Sequence, residues 1–307
     1  MPKADDAAER QTKNARRAEA RDKARQLREQ QRKKEKRNTL LLQGGIALGV
    51  IAVIGVVVAL ILNSTQPAAA GPRNMASDGI TIGADYVAVS TPGLEPEANP
   101  EPLPANEPGT VAVNIWVDYL CPACGAFEQA NAETLRALID TGTATVTIHP
   151  IAILSNQGAS QRAANAAACV ADRSPNSFFD YNELLLTSQP GDGTGWSDEQ
   201  LIDFAASVGA GSSAVAECIT SGEFSSWVTA ATNRALAGPL PLEGTDLESV
   251  QGTPTVLVNG DQYLPANIGD PTEFQQFVLQ AAGEDFTLNP TPEPEEGAVG
   301  EGDEGDE

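Results

Sequence analysis

Trp116-Val117-Asp118-Tyr119-Leu120-Cys121-Pro122-Ala123-Cys124 is the stretch on which the reading of this chain turns. Before it, Thr110 to Val117 is β-branched and apolar. Val111, Val113, Ile115 and Val117 fall on one face and Trp116 on the other, the period of a central strand. After it, Pro122 to Thr141 carries Phe127, Leu135, Leu138 and Ile139 at helical spacing and stops at Gly142. The two cysteines therefore stand where a strand ends and a helix begins. Pro122 suits the first helical position, because its missing N–H would have no partner there. Cys121 becomes the cap, its sulfur facing free backbone N–H groups and the positive end of the helix dipole, which favour thiolate over thiol. Cys121 is then the attacking and attacked sulfur, and Cys124, one turn inside, the resolving one.

Two other uses of the pair compete. Zinc asks for four ligands, and only one close cysteine pair exists. A purely structural disulfide across one helical turn closes so short a loop that it adds little stability. Cys169 and Cys218 stand apart, in segments read as amphipathic helices. Four cysteines allow three pairings; the local ring makes Cys121–Cys124 with Cys169–Cys218 the natural one. The distant pair reads as a structural staple, with a second redox couple or free thiols as the alternatives.

Working outward, Gly79 to Ser90 alternates like a short edge hairpin, and a loop rich in proline follows. Thr143 to His149 is the next strand. His149, the single histidine, reads as a structural hydrogen-bonding residue at that strand's end. Residues 157–240 turn helical: Ala163 to Val170, Phe178 to Leu186, Leu201 to Val208, Ala214 to Ile219 and Phe224 to Leu236, with Ser197 and Gln200 forming a capping box. Thr255 to Val258 is a strand, Asn259-Gly260-Asp261 a turn, Gln262 to Leu264 a returning strand and Pro271 to Ala282 a last helix. The order predicts an α/β sheet with an all-helical insertion.

Charge and hydropathy divide the 307 residues further. Residues 1–37 hold 14 Lys+Arg and 7 Asp+Glu, whereas the rest is net −30 and all six lysines lie at or before Lys36. Between the halves, Leu40 to Leu62 is 23 residues without a charge. At about 1.5 Å per residue it spans roughly 34 Å, enough to cross a hydrocarbon core. Ala68-Ala69-Ala70 offers a cleavage pattern, but a leader's apolar region is shorter and its basic region brief. Arg32, Lys33, Lys34, Lys36 and Arg37 place the N-terminus in the cytoplasm and the acidic part outside. The domains expected are a basic tail at 1–39, a transmembrane helix at 40–62, a linker at 63–78, the α/β domain at 79–286 and an acidic, disordered tail at 287–307 with eight carboxylates from Glu293 onward. So acidic a chain is a poor partner for nucleic acid. Gly45 and Gly49 give a helix-pairing spacing, but glycine is common in such spans and a monomer is expected.

Residues 79–284 resemble the DsbA-like branch of the thioredoxin superfamily, in particular its membrane-anchored thiol-disulfide oxidoreductases of Gram-positive bacteria. The matching pieces are the nine residues from Trp116 to Cys124, then His149-Pro150-Ile151-Ala152, Arg162-Ala163-Ala164-Asn165-Ala166 and Gly252-Thr253-Pro254-Thr255. The resemblance implies a thioredoxin-like fold, a cis Pro254 packed against the disulfide, and a Thr253 whose backbone receives the substrate segment. It implies also that Asp118 is an acid placed near the disulfide to assist proton transfer at Cys124, the alternative being a solvated strand-end carboxylate. No cofactor is expected beyond the redox-active disulfide. The implied partners are unfolded exported proteins bearing cysteines, and a quinone-linked membrane reoxidant of the DsbB or vitamin K epoxide reductase type. Ala123 departs from the most oxidising members, which carry histidine there. A reductase or isomerase, or a peptide-binding adaptor without catalysis, are the other functions open to the same residues.

Overall fold

A computed structural model describes residues 70–283 except 97, 104–108 and 155–157. The basic tail, the Leu40–Leu62 stretch and the acidic tail lie outside the described residues. Among the described residues no helix is long and apolar enough to cross a membrane.

Five strands form one mixed sheet: β1 (Ile80–Ile82), β2 (Val111–Val117), β3 (Ala144–Pro150), β4 (Thr255–Val258) and β5 (Asp261–Gln262), in the order β1-β3-β2-β4-β5. Among the described residues seven α-helices accompany it: α1 (Pro122–Asp140), α2 (Ala159–Arg173), α3 (Phe178–Thr187), α4 (Asp198–Ser207), α5 (Ser213–Ser221), α6 (Ser225–Ala237) and α7 (Pro271–Ala282). β2 runs parallel to β3 with Val113 opposite Val146, and antiparallel to β4 with Val113 opposite Val258. This central position is what a strand apolar on both faces requires. Val111, Val113, Ile115 and Val117 join Phe127, Leu135, Leu138 and Ile139 of α1 and Phe274 and Val278 of α7 in the main core. On the other face Trp116 and Leu257 form a smaller cluster with Ile151, Leu240 and Val250.

The helical insertion is α2 to α6, between β3 and β4. Its centre is α2, whose alanines from Ala163 to Ala171 are buried; side chains this small let α3, α4, α5 and α6 all close on one helix. The Cys169–Cys218 disulfide joins α2 to α5 across 49 residues. At α4 the Ser197 and Gln200 side chains each bond the other's backbone, a complete capping box.

The edge hairpin is present, with β1 antiparallel to β3. The chain makes a 3-10 turn at Ala84–Tyr86 with Asp85 and Tyr86 at positive φ. It then returns along β1, the Gly83 N–H donating to the Val87 carbonyl at 2.9 Å and the Val89 N–H to the Thr81 carbonyl at 2.8 Å. One expectation needs correction. The expected linker 63–78 is too long, because residues 70–78 belong to the folded domain. Met75 is buried, Arg73 pairs with Asp172 at 3.1 Å, and the Asp78 carboxylate accepts both forks of the Arg234 guanidinium at 2.7 Å. A short polar stretch has no periodicity to reveal these partners, which lie about a hundred or more residues away.

Candidate active site

The carboxyl ends of β2 and β3 deliver two loops to one place. From β2 comes Asp118-Tyr119-Leu120, and from β3 Ile151 to Leu154, tied to the first by the Ile151 N–H donating to the Val117 carbonyl at 2.9 Å. Asp118 is fully buried between them. Its Oδ1 accepts from the Leu120 N–H at 3.0 Å and the Ser160 hydroxyl at 2.7 Å, and its Oδ2 from the Ile153 and Leu154 N–H groups at 2.9 and 3.0 Å. Four donors fill the acceptor sites of the carboxylate. The solvated strand-end carboxylate is thus excluded, and Asp118 braces the two loops.

Gln189 closes the other side. Its Nε2 donates to the carbonyls of Tyr119 at 2.8 Å and Cys121 at 2.9 Å, and α1 admits it because residue 125 is glycine: a Cβ there would stand 2.6 Å from Gln189 Oε1. The Tyr119 hydroxyl donates to Asn182 Oδ1 at 3.1 Å. Neither Gln189 nor Asn182 is marked in the sequence by any pattern.

Held in this way, Cys121 is the N-cap of α1 with Pro122 in its first turn. Both cysteines are free thiols here and both are buried, Cys121 at 9% exposure and Cys124 at 1%. Their environments differ in sign. Cys121 is lowered from 9.0 to about 5, chiefly by hydrogen bonding from the Cys124 thiol, against the opposing effect of burial. The Thr253 hydroxyl and the backbone N–H groups of Cys124 and Ala123 add to the lowering. Its sulfur makes no full capping bond, so these N–H groups act on it as aligned dipoles. Cys124 is raised well above its ordinary value, first by burial and then by Cys121 itself. One sulfur is built to be a thiolate and the other a thiol.

Opposite them, β4 is preceded by Gly252-Thr253-Pro254, with a cis Thr253–Pro254 bond. The Thr253 carbonyl lies 3.2 Å from Cys121 Sγ, where it accepts a hydrogen only from the protonated thiol. The structure thus gathers Cys121, Pro122, Ala123, Cys124, Asp118 and Thr253-Pro254 around one point, while Cys169 and Cys218 are bonded to each other in the insertion. His149 is stacked on Trp116 at 4.2 Å and 7°. It is structural, held by that stacking with the Asp78 backbone beside its ring.

One group was not anticipated. Glu128 lies on the buried stripe of α1 with Cys124, Phe127 and Asn131, and an acid at a core position of that stripe is the signal that would have found it.

A paired thiolate and buried thiol exchange disulfides with other thiols, and the class so defined is the thiol-disulfide oxidoreductases. Residues 105–278 match the family described as Thioredoxin, and no curated protein matches the chain. Among solved structures, the reduced disulfide bond oxidoreductase DsbG from Mycobacterium tuberculosis is 29% identical, with 70% of this chain and 90% of that one covered and a TM-score of 0.50. Oxidised DsbA from the same organism is 30% identical over 67% of this chain and 93% of that one, with a TM-score of 0.48. Oxidised BdbD from Bacillus subtilis is 21% identical over 71% and 99%, with a TM-score of 0.49. The chain belongs to the thioredoxin family.

Proposed function

We propose that this protein is a membrane-anchored oxidase that introduces disulfides into exported proteins outside the cytoplasm. The observation that carries the reading is the asymmetry of the cysteine pair: a Cys121 thiol at about 5 beside a Cys124 thiol pushed up by burial. A thiolate that is stable at neutral pH stabilises the reduced pair, and so makes the disulfide a stronger oxidant by about 30 mV for each pH unit of depression. In the proposed cycle a substrate thiolate attacks Cys121 of the disulfide and Cys124 leaves. A second substrate thiolate then attacks the mixed disulfide at the substrate sulfur, releasing the product and Cys121 as a thiolate. Thr253 and Pro254 would hold the substrate segment through the Thr253 backbone.

Support for the location is sequence-borne: the uncharged Leu40–Leu62 stretch, the basic cluster before it and the segregation of all lysines to the N-terminal side. The Cys169–Cys218 bond agrees with an oxidising compartment. An anchored oxidase needs its electrons removed, and a quinone-linked membrane partner is the class of reoxidant that fits.

The test is the reduction potential of the Cys121–Cys124 couple, read by alkylation mass in glutathione buffers. A value near or above about −180 mV supports the oxidase; one near about −270 mV makes it a reductase. A Cys124→Ser variant that traps no exported proteins as mixed disulfides would leave only a peptide-binding adaptor.

A further inference from the structure

Gln189 is the second residue after α3 and so belongs to the helical insertion, yet its amide hydrogens are spent on the chain that carries Cys121. Its Nε2 donates to the Tyr119 carbonyl at 2.8 Å and to the Cys121 carbonyl at 2.9 Å. The first bond has a plain account, because Tyr119 is fully buried and a buried carbonyl needs a donor. The second is surplus. A carbonyl has two lone pairs, and that of Cys121 already accepts from the Cys124 N–H at 3.0 Å and the Gly125 N–H at 3.2 Å. A third donor there leaves nothing more satisfied; it fixes the direction of the carbonyl, and with it the residue.

The redox helix gives up stability to receive this side chain. Gly125 lies inside α1 and is not at positive φ, so its backbone does not call for glycine. Alanine there makes a better helix. A Cβ, however, would stand 2.6 Å from Gln189 Oε1 and 3.0 Å from the Leu186 carbonyl. The glycine provides room for the end of α3 and for the Gln189 amide. Direction matters at Cys121 because its sulfur makes no full capping bond. The N–H groups at the start of α1 act on it as dipoles, whose pull falls away within a turn. The Thr253 carbonyl stands 3.2 Å from the same sulfur. A sulfur swung from the N–H groups toward that oxygen exchanges positive ends of dipoles for a negative one.

We propose that Gln189 is a positioning residue supplied by the insertion to the redox centre: by holding the Cys121 carbonyl it keeps the sulfur aimed at the N–H groups of α1, and so sets how strongly the pair oxidises. The inference rests on disulfide exchange at Cys121, whichever direction that exchange takes.

The experiment uses the full-length protein in detergent and reads two quantities. One is the midpoint of thiolate absorbance in the reduced protein, near 5 for wild type. The other is the ratio of oxidised to reduced Cys121–Cys124 in glutathione buffers at pH 7, by alkylation and mass. Gln189→Met, of similar length and without donors, should raise the midpoint by about one pH unit and shift the glutathione equilibrium about tenfold toward the disulfide. Gly125→Ala keeps the Gln189 amide but evicts it, so it should give the same pair of shifts although α1 gains a better helix former. It also decides the matter where Gln189→Met fails to fold. The double variant should shift no further than either single one. Wild-type values of both quantities in either folded variant, whatever its melting temperature, reduce Gln189 to a partner for buried carbonyls and overturn the assignment, as does an additive double variant. A wild-type midpoint near the ordinary thiol value of 9.0, or a wild type that never equilibrates with glutathione, removes instead the exchange reaction on which the inference rests.

Discussion

Cys121 holds a negative charge because of what surrounds it, and the largest contribution is a hydrogen bond from Cys124. Replacing that donor is therefore a sharper probe than altering the helix. A Cys124→Ser protein keeps a donor, its hydroxyl, whereas in Cys124→Ala there is no donor at all. Titration of thiolate absorbance in the reduced protein should show a midpoint near 5 for wild type, and a clearly higher one for Cys124→Ala. An unchanged midpoint would mean that the Ala123 and Cys124 N–H groups suffice. The different surroundings of the two sulfurs were legible in sequence because a cap position and a position one turn later differ in kind. The support from Gln189 was not legible. It stands 68 residues from the Cys121 carbonyl it holds, and no local pattern distinguishes it from any other loop amide.

At the scale of elements, the insertion is a separate mechanical problem. Its helices close on the small side chains of α2, which bring few apolar contacts of their own, and the Cys169–Cys218 bond spans 49 residues of it. By the chain-entropy account a loop of that size contributes about 4 kcal/mol. A Cys169→Ala, Cys218→Ala protein should lose stability of that order in urea denaturation, yet still exchange disulfides at Cys121 when folded. Loss of exchange in a folded double variant would make the second pair a redox partner. Sequence periodicity recovered this layer well: β4 and α7 have the bounds expected of them, Thr255–Val258 and Pro271–Ala282, because strong alternation or a proline start marks each end. It left the turn of the β1 hairpin undefined, because positive φ at Asp85 and Tyr86 has no composition signal.

For the whole molecule, the packing of residues 70–78 into the folded domain has a direct consequence. A chain beginning at Gly79 loses Met75 from the core, worth roughly 2 kcal/mol, and leaves Arg234, whose side chain is 26% exposed, without Asp78. It should melt well below one beginning at Ala70, measured by circular dichroism; equal melting would return residues 70–78 to the linker.

The same region sets the acid limit of the fold. His149 lies so close to Gly79 that any side chain there would overlap its ring, and it stacks on Trp116 with no room for water. Burial lowers it from 6.5 to about 3, the Asp78 backbone opposing weakly. The sign follows from linkage. Above the unfolded value of 6.5 both states are neutral and the contribution is complete. As pH falls from there toward about 3 the unfolded chain binds a proton that the folded one refuses, and stability declines. His149→Phe keeps a flat ring against Trp116 and removes the proton. Every carboxylate is common to both proteins, so the difference between their unfolding free energies isolates this one group. Wild type should lose ground to the variant by a few kcal/mol between pH 6.5 and 3, with no divergence above 7. A constant difference would show that the imidazolium is accommodated in the fold, and that acid sensitivity arises elsewhere.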